Sequence, residues 1–283
     1  MSPPLVLYHA ACSDGFCAAW VARRRFPDAE CVPVQHGDAT PDVAGRTVYL
    51  LDFSLKREQM QQVIGLAHSV CVLDHHESAI PDLSFPSCSA ADWWDGSGRI
   101  YIGFDTSKSG ARLAWEFFFP GVKSPWLVDY TEDRDLWRWR LPRSREISAF
   151  IRSWPFDFAR WDAWAQWGEI DTRIFREQVR FAIAEGGAIL RSQQQLVDEA
   201  VARAGEHVVC GYKVLATNAT VMISEIAGKL AEGRPFGATF FIRADGARVW
   251  SLRSEATGVN VAQLAKELKG GGGHPHAAGF TER

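Results

Sequence analysis

Three short apolar runs near the start of the chain each end on a carboxylate or an imidazole. Leu5–Tyr8 is followed by His9, Cys12 and Asp14, Thr47–Leu51 by Asp52, and Val70–Leu73 by Asp74, His75 and His76. Runs of this length read as buried strands, and the segments between them carry helical spacing. Phe16, Ala19, Trp20 and Arg23 share one face before Pro27, and Met60, Val63, Ile64 and Ala67 share one side of a helix over 56–67. With a further strand at Cys31–Val34 the rhythm is β-α-β-β-α-β, which predicts an α/β fold with a parallel sheet and flanking helices. Parallel strands bring their carboxyl ends to one edge, where open α/β sheets place ligands. The acids and imidazoles therefore converge.

A cluster of Asp and His without paired thiolates suits a hard to borderline divalent ion such as Mn²⁺ better than a structural Zn²⁺. Two such ions about 3.5–4 Å apart serve in-line displacement at phosphorus, so the chemistry implied is phosphoester hydrolysis. Taken singly, Asp14-Gly15 is also turn chemistry, and Asp52 with Ser54 is also a helix-capping loop. The common position after successive strands is what argues for a shared site. His36, His68 and His207 read as structural.

Past Asp74 the pattern loosens. Residues 81–98 have loop composition, Ser109–Phe118 resumes a helix, and 172–204 predicts a polar connecting helix pair with a kink at Gly186-Gly187. A second unit starts near His207, with strands at Val208–Ala216, Ala238–Arg243 and Arg248–Arg253, a helix over Val261–Leu268 and a closing glycine run. At 283 residues two domains are expected. They are residues 1–190, with a connector to about 206, and a smaller mixed α/β domain over 207–283, with a cleft between them.

With 31 Lys+Arg against 34 Asp+Glu the formal charge is 31 − 34 = −3, too even for a protein that holds a long duplex by charge alone. No apolar run approaches the ~20 residues that span a bilayer, and the start lacks the basic and apolar regions of a signal peptide. Six cysteines without a C-x-x-C pair suggest neither a zinc knuckle nor a disulfide framework. A cytoplasmic protein without membrane partners is expected; the oligomeric state is not legible.

Four stretches resemble the DHH phosphoesterases, and more closely the subgroup with a DHHA1 carboxyl-terminal domain. They are His9-Ala-Ala-Cys12-Ser-Asp14-Gly15, Leu50-Leu51-Asp52, Asp74-His75-His76, and Gly270-Gly-Gly-Gly-His274-Pro-His-Ala-Ala278-Gly279 preceded by Trp250-Ser-Leu-Arg253-Ser254. The resemblance implies that His9, Asp14, Asp52, His75 and a later aspartate bind two Mn²⁺, with Mg²⁺ or another divalent ion as the alternative and Asp52 as the bridge. The later aspartate is assigned to Asp133, with Asp129 and Asp135 as competitors. Asp74 orients an imidazole beside the ligands, and His76 faces the substrate phosphate. Where the family usually has a second aspartate, two residues before Asp14, this chain has Cys12. A Cys12 thiolate still ligates and softens the site toward Zn²⁺ or Fe²⁺, a thiol leaves that ion short of a ligand, and a buried small hydrophobe is the remaining reading.

At the other end, the four glycines allow close backbone approach to an anion and can turn N–H groups inward, so Gly271, Gly272, Gly273 and His274 are candidate substrate contacts. Arg253 adds a planar charged fork for phosphate or a stacking surface for a base. The expected reaction is attack of a metal-bound hydroxide on a phosphodiester or terminal phosphate, with His76 and Arg253 or His274 stabilising charge on the oxygens. Within the family the chain looks most like the oligoribonuclease or cyclic-nucleotide phosphodiesterase group. The alternatives are an exopolyphosphatase-like enzyme and a non-catalytic nucleotide-binding regulator whose metal site Cys12 has weakened. Ten of the twelve tryptophans lie between Trp93 and Trp167. Trp115, Trp161 and Trp164 read as core, while Trp93, Trp94, Trp137 and Trp139 are candidates for stacking bases.

Overall fold

The computed structural model describes residues 3–170 and 172–282. The chain divides into two units, Met1–Ile189 and Leu190–Arg283. The first unit runs β1 (Leu5–His9), α1 (Ser13–Arg25), β2 (Glu30–Val34), β3 (Thr47–Leu51), α2 (Arg57–Leu66), β4 (Ser69–Asp74), a 3-10 turn (Glu77–Leu83), α3 (Ala90–Asp95) and β5 (Ile100–Phe104). It continues with α4 (Gly110–Phe118), α5 (Trp126–Asp135), α6 (Ser144–Arg152), α7 (Phe158–Ile170) and the start of α8 (Thr172–Ala202).

Its five strands pair in the order β2-β1-β3-β4-β5, all parallel. The chain leaves β1 for β2 on one side and returns to the other side as β3, so the topological switch point lies between β1 and β3. Tyr8 stands opposite Leu51, and Leu51 opposite Leu73. His9, Asp52 and Asp74 therefore leave the sheet at one level.

Side chains alternate across the sheet as the pleat requires. Leu5, Leu7, Leu50, Val70 and Val72 pack with Met60 and Val63 of α2, whereas Val6, Tyr8, Leu51, Cys71 and Leu73 pack with α1, α4 and the aromatic middle of the chain. With both faces covered, continuous apolar runs are what these strands need. Trp115, Trp161 and Trp164 are buried, and Phe16 stacks on Phe156 and Phe158 at 5.0 and 4.6 Å. Trp93, expected at a base-stacking surface, is buried instead and meets Tyr49 edge-on at 5.8 Å. Trp94 lies against Phe117 at 5.0 Å, with Arg25 over its ring.

The kink expected at Gly186-Gly187 does not occur; one continuous helix, α8, runs through both glycines. A Cβ on Gly186 would lie 1.8 Å from the Glu146 carbonyl oxygen. The glycine thus permits close packing on α6 rather than a break.

The second unit adds β6 (Gly205–Val209), β7 (Tyr212–Asn218), α9 (Ile223–Ala231), β8 (Gly237–Ile242), β9 (Arg248–Arg253), α10 (Val261–Lys269), β10 (Gly272–His274) and β11 (Ala277–Glu282). These six strands form one mixed sheet in the order β10-β11-β9-β8-β7-β6, with only β7 and β8 parallel. The single strand expected over Val208–Ala216 is a hairpin, folded at Cys210 and Gly211, whose φ values of 49° and 81° give the two-residue turn that suits strand twist. Because β7 and β8 are parallel, a crossover must join them, and α9 supplies it.

Candidate metal centre

Asp52 is the hub. Its N–H continues the sheet by donating to the Leu73 carbonyl at 2.9 Å, but its φ is +54°, a left-handed backbone that a non-glycine residue enters at a cost of about 1–2 kcal/mol. The turn aims its carboxylate at three imidazoles. Oδ1 is 3.1 Å from His75 Nε2 and 3.9 Å from His76 Nδ1, and Oδ2 is 3.5 Å from His9 Nδ1. His75 Nε2 is also 3.7 Å from Asp14 Oδ2 and 3.6 Å from Asp135 Oδ2.

Asp14, in the first turn of α1, is fully buried and reaches the start of α4. The N–H groups of Gly110 and Ala111 donate to its two oxygens at 2.6 and 3.0 Å, where a helix leaves its first amides unpaired. Gly110 is a site residue that sequence reasoning missed. A Cβ there would stand 2.5 Å from the Asp52 Cβ and 3.0 Å from Asp14 Oδ2. The available signal was a glycine directly after the helix-capping Ser109, where helix propensity disfavours it. Gly15 does the same for His9, whose carbonyl oxygen would lie 2.4 Å from an added Cβ.

Of the three aspartates considered for the later position, Asp135, and not the expected Asp133, stands beside the imidazoles. Asp133 accepts from the N–H groups of Arg140 and Leu141 at 2.9 and 3.3 Å and from the Ser144 hydroxyl at 2.5 Å, so its carboxylate anchors the chain after α5. Two residues along a helix turn by about 200°, and Asp135 faces the imidazoles instead. Asp129 is held by Arg112 Nη2 at 2.6 Å.

Three groups of ligand atoms each lie within 4.8 Å of one another: His9, Cys12 and Asp52; Asp52, His75 and His76; and Asp14, His75 and Asp135. Burial and repulsion from Asp135 and Asp52 push the Asp14 carboxyl well above the usual range, and burial raises Asp135 as well. Burial also works against the charge on Asp52, but the imidazoles of His75 and His9 outweigh it and hold this carboxyl well below the usual range. His75 runs the other way: burial disfavours its charge, yet Asp52, Asp14 and Asp135 push it up to about 10. Desolvation first and the three carboxylates second raise the Cys12 thiol, which keeps its sulfur protonated until a cation offsets them.

His9 Nδ1 and Asp52 Oδ2 are both buried without a hydrogen-bond partner, and they face each other at 3.5 Å. A divalent cation satisfies two lone-pair donors in that arrangement and relieves the repulsion among the carboxylates. The donor set of carboxylates and imidazoles fits such an ion.

Asp74 stands beside the ligands. Its Oδ1 accepts from the N–H groups of His75 and His76 at 2.7 and 3.2 Å and lies 2.7 Å from His76 Nδ1, and the Ser54 hydroxyl donates to Oδ2. Burial disfavours charge on His76, but hydrogen bonding to Asp74 together with the charges of Asp52 and Asp74 raises it. His36, read as structural, lies 4.9 Å from the Phe53 ring, which in turn faces His9 at 6.2 Å.

In the second unit, His274, Ala277 and Arg253 stand in register across β10, β11 and β9, so they form one row on one face of the sheet. Arg253 donates to the Leu252 carbonyl and to Ser224 Oγ, both at 2.8 Å. Three of the four glycines have a local reason: Gly270 ends α10 at φ +65°, and added Cβ atoms at Gly271 and Gly273 would lie 2.1 and 2.4 Å from β11 carbonyl oxygens. No helix among the described residues is long and apolar enough to cross a membrane.

Residues 210–282 match the DHHA1 domain family. Over 98% of the chain and 67% of the other protein, the sequence is 25% identical to an uncharacterized protein, R106, of Acanthamoeba polyphaga mimivirus. Among solved structures, exonuclease RecJ bound to manganese superposes with a TM-score of 0.52 at 14% identity, covering 100% of this chain and 86% of that one. The pGpG-specific phosphodiesterase PggH of Vibrio cholerae gives 0.50 at 14% identity, over 99% and 92%. Residues 210–282 thus carry a DHHA1 domain, and the chain shares its fold with RecJ and PggH.

Proposed function

We propose that this chain, a DHH fold followed in sequence by a DHHA1 domain, hydrolyses phosphodiester bonds of short oligonucleotides or nucleotides with divalent ions, Mn²⁺ before others. His9, Asp14, Asp52, His75 and Asp135 hold the ions, with Cys12 beside His9. The observation that carries this reading is Asp52, whose carboxylate belongs to two of the three ligand groups and whose unpaired Oδ2 faces the unpaired His9 Nδ1. Ions bound there supply a water of lowered pKa and charge for the phosphoryl oxygens.

The chain's own residues do the positioning. Asp14 fixes its ligand oxygens on the amides of α4, and the backbone of Asp52 presents its carboxylate. His76 Nδ1–H donates to Asp74, and in the imidazolium form that Asp74 and Asp52 favour, Nε2–H donates to a non-bridging phosphate oxygen. We assign phosphate binding to Arg253, which uses two of its five donors internally, to His274 in the same cross-strand row, and to Gly271–Gly273. The nucleotide class is supported by the net charge of −3, which disfavours long duplexes, and by the fold shared with a pGpG phosphodiesterase and an exonuclease. Free cysteines and the lack of a membrane-crossing helix among the described residues support a cytoplasmic setting.

Purified protein with Mn²⁺ and a 5′-phosphorylated short RNA tests the reading. Mononucleotide should appear, and Asp52→Ala should abolish its release. Equal inertness of wild type and variant with each divalent metal, while nucleotide still binds, would establish the regulator in its place. Release of phosphate from polyphosphate but not of nucleotide from RNA would point to the exopolyphosphatase-like enzyme.

A further inference from the structure

The segment directly after Asp135 is unlike the rest of the molecule. Residues 136–145 read Leu-Trp-Arg-Trp-Arg-Leu-Pro-Arg-Ser-Arg, with Arg138, Arg140, Arg143 and Arg145 all exposed and no acidic residue among the ten. In a chain of net charge −3 this is a strong local excess of positive charge.

Its backbone is held in a conformation that the side chains themselves disfavour. Trp137 and Trp139 both have φ +53° and Arg143 has φ +57°, where bulky residues are outliers. The buried Asp133 imposes this shape: its carboxylate receives the N–H groups of Arg140 and Leu141, and its carbonyl oxygen receives those of Arg138 and Trp139 at 2.8 and 3.3 Å. Strain of this kind persists where the surroundings over-determine it, and it gathers at functional sites.

The result is a presented aromatic pair. Trp137 is 47% exposed, its ring meets Trp139 edge-on at 5.0 Å, and the Arg145 guanidinium lies 4.4 Å over the Trp139 ring. Trp139 Nε1 has no hydrogen-bond partner among the described residues, so the edge contact and the overlying arginine hold this ring. Arg138 is tied to the Ser107 carbonyl and Arg143 to Glu146 at 3.0 Å, but the Arg140 guanidinium makes no hydrogen bond or ion pair among the described residues. Consecutive Cα atoms are 3.8 Å apart, so the Trp137 backbone lies within about 8 Å of that of Asp135, whose carboxylate faces His75.

We infer that the segment 136–145 is a nucleobase platform: Trp137 stacks on an unpaired base of the oligonucleotide substrate, and Arg140 takes an adjoining phosphate, beside the proposed ion cluster. This rests on the phosphodiesterase reading above. An aromatic face grips any unpaired base without base-specific hydrogen bonds, and a duplex, with its bases already stacked, offers nothing to it. Trp137 is a specificity residue here and takes no part in bond breaking.

The test compares wild type, Trp137→Ala, Trp137→Phe and Arg140→Ala on a 5′-phosphorylated tetraribonucleotide and on the same oligomer with abasic residues. Hydrolysis is followed with Mn²⁺, and binding by anisotropy of labelled oligomer with Ca²⁺ in place of Mn²⁺. Trp137→Ala should weaken binding and raise KM for the base-bearing oligomer about tenfold or more, with kcat nearly unchanged and no effect on the abasic one. Trp137→Phe should restore most of the loss, and Arg140→Ala should weaken both oligomers and flatten the salt dependence of binding. Equal KM values for the two oligomers with wild type, or equal losses on both in Trp137→Ala, would overturn the platform and leave the hydrolase standing. Base-dependent binding lost in Trp137→Ala, without hydrolysis by any variant, would leave the platform and remove the hydrolase.

Discussion

The N–H of Gly110 donates to Asp14 Oδ2 at 2.6 Å, joining the first turns of two helices 96 residues apart in sequence. Through this bond the start of α4 positions one candidate ligand of the proposed ion cluster, while the missing Gly110 side chain leaves room for another, Asp52.

Gly110→Ala should therefore act against its helix propensity. Alanine in a helix is worth about 1 kcal/mol over glycine, but a Cβ placed 2.5 Å from that of Asp52 forces a shift whose cost is about 1–3 kcal/mol. We expect a net loss of stability in urea together with weaker Mn²⁺ binding by calorimetry. A variant that is more stable and binds Mn²⁺ as wild type does would show that the wedge does not matter.

Asp133→Asn and Asp135→Asn separate an anchor from a ligand. The first removes charge from a carboxylate that receives three hydrogen bonds and should cost about 2–3 kcal/mol of stability, with ion stoichiometry kept. The second relieves repulsion with Asp14 and Asp52, so the ion-free protein should be no less stable while Mn²⁺ affinity falls at least tenfold. Unfolding in chelator and metal titration read the two effects separately, and the reverse pattern would restore Asp133 as the ligand.

Cys12→Asp should strengthen Mn²⁺ binding. Cys12 shares a ligand group with His9 and Asp52, and its thiol is held protonated by desolvation and the nearby carboxylates. An oxygen ligand suits Mn²⁺, whereas the sulfur suits Zn²⁺ or Fe²⁺, so the preference among metals should shift toward the harder ion. Unchanged affinities for both classes in a stable variant would remove Cys12 from the coordination.

Removal of ions should lower the melting temperature of the first unit. At a free ion concentration a hundred times Kd, binding adds about 2.7 kcal/mol of stability, and Asp52→Ala should forfeit it. Thermal scans with Mn²⁺ and with chelator check this; identical scans for wild type would mean that no ion binds the native cluster.

The strand ends were legible because a parallel sheet covered on both faces writes each strand as a continuous apolar run, and the polar residue that ends the run marks the ligand edge. His9, Asp52, Asp74 and His75 follow directly from that. Asp135 does not, since α5 (Trp-Leu-Val-Asp-Tyr-Thr-Glu-Asp-Arg-Asp) carries acids at four positions and no clean apolar stripe from which to take its phase. The β6–β7 hairpin escaped notice because Cys210-Gly211 lacks the Asn-Gly or Asp-Gly signature of its turn. Gly186 read as a breaker because a sequence shows what a glycine permits within its own helix and hides the neighbouring carbonyl that requires it.

The carboxylates and imidazoles of the cluster are borne on segments following β1, β3 and β4 and on the last turn of α5, held in register by strands that pair out of sequence order. Two of the three ligand groups are complete by His76, whereas the third, Asp14, His75 and Asp135, closes only when α5 has packed. Uptake of a full complement of ions would thus be a readout of completed folding: a nascent or nicked first unit lacking α5 would present the first two groups without the third.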